Sequence, residues 1–294
     1  MQIAQNKLEE LRSLLSTPQS IVILSHTNPD GDAIGSSLSW AEILRKHGHI
    51  VTCIIPNRYP YYLEFMPNIG DMVIYKSDRE GRAEAAVKSA DLIFCLDFHT
   101  MSRLEGLGEL LDCNQRARRI LIDHHLDPME DFDLMISYPE ASSTCYLVAL
   151  IIESLFGAES ISATMAENLF VGMMTDTGNF AFSFLTPDLM RAVAVLLERG
   201  LNIPKVNTAV YNSYSASRVK LLGFALGRKM EVIEDGKAAY ISLSEREMRR
   251  YNFQLGDSEG FVNYPLTIAG MKMSAMFTET RKFIRVSLRS RGDE

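Results

Sequence analysis

Three apolar, β-branched runs in this chain each lead straight into a chemically active side chain. Residues 21–25 run into His26, residues 92–96 into Asp97, and residues 119–122 into Asp123. Helical segments fill the intervals: 33–47, stopping at Gly48, then 79–89 and 103–111. Further strands are expected at 51–55, ending at Pro56, at 71–75 (short) and at 134–137, with strong helices at 144–156 and 163–174. Strands separated by helices of this length predict an α/β fold with a doubly wound, mainly parallel sheet. Such sheets bind ligands outside the carboxyl ends of their strands. Three separate strand ends would therefore deliver His26, Asp97 and Asp123 to one crevice, and Asp176 would join them from the end of the helix before it.

The texture changes after Pro187. Residues 188–229 read as a helical connector, with helices at 189–199, 206–211 and 218–229. Residues 230–294 read as a second, smaller α/β domain with β-like runs at 230–233, 238–242, 271–278 and 283–289. The first domain is then 1–187, and 294 residues suffice for two compact domains. A net charge of −7 is not the footprint of a protein that grips long duplex nucleic acid. A small anionic substrate still fits, because a bound metal inverts the local field. Cys53, Cys95, Cys113 and Cys145 form no CxxC pair; Cys53 and Cys95, within apolar strand-like runs, read as small buried hydrophobes in a reducing compartment. The polar N-terminus leads into an amphipathic helix with no signal peptide. No apolar stretch approaches the ~18 residues needed to cross a bilayer. The expectation is a cytoplasmic protein with no membrane partner.

The segment His26-Thr-Asn-Pro-Asp30-Gly-Asp32 is a loop, since Pro29 and Gly31 force a turn. It can direct His26 and Asp30 toward one metal ion and Asp32 toward a neighbouring one. A competing reading is an Asp-rich turn with Asp32 as N-cap of the helix from Ala33, which accounts for Asp32 but not for His26 or Asp30. In Asp123-His124-His125 the adjacent imidazoles face different directions, so one can ligate the same ion as Asp97 and the other is free to meet a substrate oxygen. Singly, the pair could be a solvated loop, and Asp176-Thr-Gly-Asn a plain helix-terminal turn. Together, four segments supply His or Asp at the right structural place, and four of the six histidines (His26, His99, His124, His125) lie in or beside them. A soluble domain gathers so many carboxylates at one edge when cations hold them there. The reading is a multinuclear metal site that hydrolyses a phosphoester.

This set of motifs resembles the DHH phosphoesterase family. Glu259-Gly-Phe-Val-Asn-Tyr-Pro-Leu266 and Val286-Ser-Leu-Arg-Ser290 resemble the DHH-associated C-terminal domain of its nanoRNase/pAp-phosphatase subfamily. The resemblance implies a two-metal phosphohydrolase with two Mn²⁺ ions, Mg²⁺ or Co²⁺ being substitutes; mixed imidazole and carboxylate ligands suit Mn²⁺ better than Mg²⁺. His26, Asp30 and Asp97 would hold one ion. Asp32, Asp97, His124 and Asp176 would hold the other, with Asp97 bridging. Asp123 would orient a ligand, and His125 would face the scissile phosphate, making His125, Asp97 and Asp123 the catalytic set. Paired ions lower the pKa of a shared water and clamp the phosphoryl oxygens for in-line attack. Ser142-Ser143-Thr144 matches a family stretch near the site, and reads equally as a helix N-cap.

In the C-terminal domain Arg289, with Ser287 beside it, is the candidate for substrate phosphate, because a guanidinium binds phosphate bidentately. A solvated strand-end charge is the competing reading of Arg289. Arg103 is a further, weaker candidate. The implied substrates are very short oligoribonucleotides and 3′-phosphoadenosine 5′-phosphate, held between metals on the large domain and recognition groups on the small one. A homodimer is left open. Other readings within the same chemistry are a cyclic-dinucleotide phosphodiesterase, an exopolyphosphatase and an inorganic pyrophosphatase. A catalytically silent nucleotide-binding sensor is the rival from another class. One departure stands out: the family's glycine-rich Gly-Gly-Gly-His segment is missing before the chain stops at Glu294. Either the natural protein runs on, so that the C-terminal domain is incomplete here, or this is a variant without that loop.

Overall fold

The structure, a computed structural model, describes residues 1–181 and 185–291 and divides into two compact units, Met1–Ala209 and Val210–Glu294. In the first unit helix α1 (Gln5–Leu14) precedes β1 (Ser20–Leu24), α2 (Gly31–Lys46), β2 (Ile50–Ile55) and β3 (Val73–Ile74). There follow α3 (Arg82–Ser89), β4 (Leu92–Leu96), α4 (Gly106–Leu110), β5 (Arg118–Asp123) and β6 (Leu134–Ser137). Helices α5 (Thr144–Phe156), α6 (Ala163–Asp176), α7 (Pro187–Glu198) and α8 (Ile203–Tyr211) come next. The division between the units falls within α8.

All pairings in the first sheet are parallel, in the order β3-β2-β1-β4-β5-β6. Ile23 and Phe94 sit side by side in register across β1 and β4, and both are fully buried. Every residue of β4 is buried, as expected of a parallel strand covered by helices on both faces. The strand order reverses direction at β1, so β1 and β4 flank the topological switch point. The crevice of a doubly wound sheet opens at that point, outside the carboxyl ends of the strands. His26 and Asp97 stand there.

The sheet bears out the sequence-based expectation of its class, with local differences. The expected helix 103–111 is broken at Glu105, whose φ of 49° and ψ of −138° no helix accommodates, so α4 starts only at Gly106. The expected strand 71–75 shortens to Val73–Ile74, preceded by a single 3₁₀ turn. Asp30, not Asp32, caps α2: its side chain accepts from the N–H groups of Asp32 and Ala33, and Asp32 lies inside the first turn.

The second unit contains α9 (Ala216–Phe224), β7 (Met230–Ile233), β8 (Ala238–Leu243), α10 (Glu245–Arg250), β9 (Met273–Glu279) and β10 (Ile284–Ser290). Its sheet runs β10-β9-β8-β7 and is mixed, with only β8 and β9 parallel. Leu221 and Ala225 pack with Ile241, Leu243, Phe261 and Met276 in its core. Ser244 and Glu247 form a capping box that starts α10, a helix the β-like texture of the region hides. Among the described residues no helix is long and apolar enough to cross a membrane.

Candidate metal centre

Strand β1 ends at Leu24, and the chain turns through His26 and Asp30 into α2. His26 is buried, and its Nδ1 lies 2.8 Å from the carbonyl oxygen of Thr27. Donation from Nδ1–H to that carbonyl leaves Nε2 as the free ligand atom, 3.4 Å from Asp97 Oδ2 and 3.9 Å from Asp30 Oδ2. Asp30 divides its carboxylate: Oδ1 accepts from the backbone of Asp32 (3.0 Å) and Ala33 (3.1 Å), and Oδ2 turns toward His26.

Asp97 follows β4 with a φ of 66°, a left-handed conformation that costs an L-residue energy and recurs at functional sites. Its oxygens face opposite partners: Oδ2 faces His26, and Oδ1 lies 3.6 Å from His124 Nε2 and accepts from the Thr144 hydroxyl at 3.0 Å. His124 Nε2 is also 3.1 Å from Asp176 Oδ2 and 3.8 Å from Asp32 Oδ2. Asp32 is fully buried and accepts from the N–H groups of Thr144 (2.6 Å) and Cys145 (2.7 Å) at the start of α5, where the helix dipole favours an anion. Two sets of donors result, His26–Asp30–Asp97 and Asp32–His124–Asp176, each with its ligand atoms within 4.8 Å of one another. A third such grouping, Asp97–His124–His125, overlaps them.

His125 is oriented differently. Its Nδ1 lies 2.7 Å from Asp123 Oδ1, so Asp123 is tied to His125 and not to a member of the two donor sets. The ring of His99 stacks on His125 with centroids 5.3 Å apart. Both imidazoles border a cavity of about 700 Å³ that also touches His124, Asp176, Leu126 and Pro139.

The electrostatics fit cations. Burial, with Asp97 and Asp176 close by, pushes Asp32 well above the usual carboxylate range. Burial likewise raises Asp176, to about 6, against the pull of its hydrogen bond with His124. Asp97 goes the other way: burial would raise it, but hydrogen bonds and charge from His124 and His26 hold it well below its ordinary value. Burial opposes protonation of both imidazoles, yet their carboxylate partners raise His26 to about 9 and His124 to about 12. The hydrogen bond to Asp123 raises His125 as well. Among the described residues no lysine or arginine pairs with Asp30, Asp32, Asp97 or Asp176; imidazoles are their only ion-pair partners. Crowded, buried carboxylates of this kind are relieved by metal ions, and the imidazole–carboxylate donor set suits Mn²⁺ or a similar divalent ion.

A family model described as the DHH family, N-terminal domain, matches residues 20–173, more than half of the chain. The chain belongs to the DHH family. Among curated relatives, the bifunctional oligoribonuclease and PAP phosphatase NrnA of Thermus thermophilus is 28% identical over 272 residues, covering 92% of this chain and 76% of that protein. The protein of the same name from Bacillus subtilis is 25% identical over 293 residues, covering 96% and 85%. Among solved structures, an exopolyphosphatase-related protein from Bacteroides fragilis aligns with a TM-score of 0.93 and 38% identity, over 99% of this chain and 84% of that one.

The candidates assigned from sequence thus separate. His26, Asp30, Asp32, Asp97, His124 and Asp176 converge, with His125 and Asp123 alongside. Arg103 lies in the turn after β4, where its carbonyl accepts from Thr27 N–H at 2.7 Å and its side chain is half-buried. Ser287 and Arg289 belong to β10 in the second unit, two residues apart on one face of the strand, and Arg289 is exposed. Sequence reasoning missed the Thr144 hydroxyl and the two backbone donors to Asp32. Ser143 does cap α5, through Tyr146 N–H, and that reading of Ser-Ser-Thr masked what Thr144 does next to it. His99 lies beside the motifs in sequence, but spacing alone does not predict its stack on His125.

Proposed function

We propose that this DHH-family chain is a phosphohydrolase that works with two divalent ions, Mn²⁺ foremost, on short oligoribonucleotides and 3′-phosphoadenosine 5′-phosphate. The observation that carries the proposal is Asp97, whose two oxygens face two separate donor sets. In this reading His26, Asp30 and Asp97 hold one ion, and Asp32, Asp97, His124 and Asp176 the other. When bound, the pair supplies an activated water and neutralises the phosphoryl oxygens.

The chain's own groups account for the remaining roles. Asp123 accepts from His125 Nδ1–H and so aims Nε2 into the cavity. A protonated Nε2 can then donate to the leaving oxygen, and the charge on Asp123 favours that protonated form. Thr144 donates to Asp97 and keeps Oδ1 turned toward His124. Residues 230–294 act in this proposal as a DHH-associated substrate-binding domain, with Arg289 and Ser287 taking a distal phosphate and Arg103 a further contact.

The similarity to an exopolyphosphatase-related protein favours a second reading, hydrolysis of polyphosphate. The cavity argues for nucleotides. Its described lining contains no lysine or arginine to hold a run of phosphates, while Leu126 and Pro139 suit the uncharged, planar part of a nucleotide. The test is a side-by-side assay in Mn²⁺ of pApA, pAp, a cyclic dinucleotide, pyrophosphate and polyphosphate, with Mg²⁺ and Co²⁺ arms. Mononucleotide release from pApA and phosphate release from pAp are expected to be fastest. Preference for polyphosphate would select the second reading, and tight nucleotide binding without turnover would make the protein a sensor.

A further inference from the structure

We infer that Asn57, which belongs to none of the metal-ligand motifs, is the positioning residue that holds the His26–Asp30 loop in its ligating shape. The inference rests on the two-ion reading above. Asn57 follows β2 and Pro56, on the strand neighbouring β1, and is half-buried. Its Oδ1 accepts from Asn28 N–H at 2.7 Å and from the Thr27 hydroxyl at 2.9 Å, and its Nδ2 donates to Asn28 Oδ1 at 3.0 Å. One amide thus grips the two residues that directly follow His26. From the other side of β1, Arg103 accepts from Thr27 N–H at 2.7 Å, and Glu105 shares the Thr27 hydroxyl at 3.0 Å.

The loop needs such a grip. Asn28 has a φ of 54°, in the left-handed region, where an L-residue is held by its surroundings. The Thr27 carbonyl, in the same peptide unit as Asn28 N–H, is the group that fixes His26 Nδ1 and so aims Nε2 at Asp97 and Asp30. Asn57 reaches the ligand through that peptide: it holds the N–H side, and His26 uses the C=O side. Groups that orient a ligand in this manner typically change metal affinity by about 10–100-fold when removed. Asp32, His124 and Asp176 share no hydrogen bond with Asn57, so the effect belongs to one ion.

The test is calorimetric titration of metal-free protein with Mn²⁺, comparing wild type, Asn57→Ala, Asp30→Ala and the double variant. Arg58→Ala is the neighbouring control, since Arg58 faces Glu64. Wild type is expected to show two binding steps. Asn57→Ala should weaken one step about 10-fold and leave the other within error, while the metal-free protein still melts in a cooperative transition. In the Asp30→Ala background the same change should add little, because the ion it serves is already lost. Asn57→Asp, which keeps both accepted bonds, should bind within a few-fold of wild type. Equal weakening of both steps, or of neither, overturns the role of Asn57 and leaves the two-ion reading standing. A wild-type protein with fewer than two steps removes the two-ion reading and the inference with it.

Discussion

In the proposed two-ion chemistry, Asp97 and His125 divide the residue-scale work between holding cations and moving a proton. Asp97 meets both donor sets from a left-handed backbone at the end of β4, the placement that the proposal reads as a bridge. His125 lies beside them with a carboxylate partner of its own. Its replacement by alanine should lower kcat by about 10²–10⁴-fold, the range for a lost general acid, while Mn²⁺ binding stays intact. Asp123→Asn should move kcat in the same direction, because the amide no longer enforces the Nδ1–H tautomer. Steady-state kinetics with parallel metal titration check both variants. Loss of metal binding in His125→Ala would make that imidazole a ligand instead. The convergence of the six candidate ligands was legible in the chain because four separate segments each supply His or Asp at the right structural place, although an Asp at a strand end is common taken singly. Asn57 was not, since an amide after Pro56 looks like any turn residue.

Close helix packing delivers Asp32 at the scale of elements. Helices α2, α5 and α6 meet where Gly172 faces Asp32 and Cys145. A Cβ on Gly172 would lie 2.3 Å from Cys145 Sγ and 2.5 Å from Asp32 Oδ1. Gly172→Ala is therefore expected to destabilise the protein by about 1–3 kcal/mol, as overpacking does. It should also weaken Mn²⁺ binding by pushing Asp32 off the N–H groups of α5. Chemical denaturation and metal titration measure the two effects; a variant with wild-type values in both would contradict this packing. Such a contact cannot be read from sequence, because Gly172 and Asp32 are brought together only by tertiary structure. The strands themselves were legible, since β4 is a continuous apolar run of the kind that parallel sheets bury. The expected helix over 103–111 failed at Glu105, where backbone geometry overrides helical spacing.

Over the whole molecule, the charge held in the centre ties folding to pH. Without metal, His26 and His124 are raised by their carboxylate partners, to about 9 and about 12. A raised imidazole contributes stability that is fully present below its ordinary 6.5 and is lost as pH climbs through the folded value. Asp176, raised to about 6, acts with the same sign, its contribution fading as pH rises through that value. The depressed carboxyl of Asp97 has the opposite sign but acts only in acid, below the ordinary carboxylate range. The metal-free protein should therefore melt at a lower temperature at pH 9 than at pH 6. Saturating Mn²⁺ should shrink the difference, since the ion replaces the protons on the imidazoles. Calorimetric melting at several pH values gives the answer, and a flat metal-free profile would contradict the charge balance described here.

In the proposed centre one buried aspartate joins two cations, and anomalous scattering from crystals grown with Mn²⁺ would locate both. Two anomalous peaks about 3.5–4 Å apart are expected, each within bonding distance of a different oxygen of Asp97. A single peak, or peaks that do not share Asp97, would contradict the proposal.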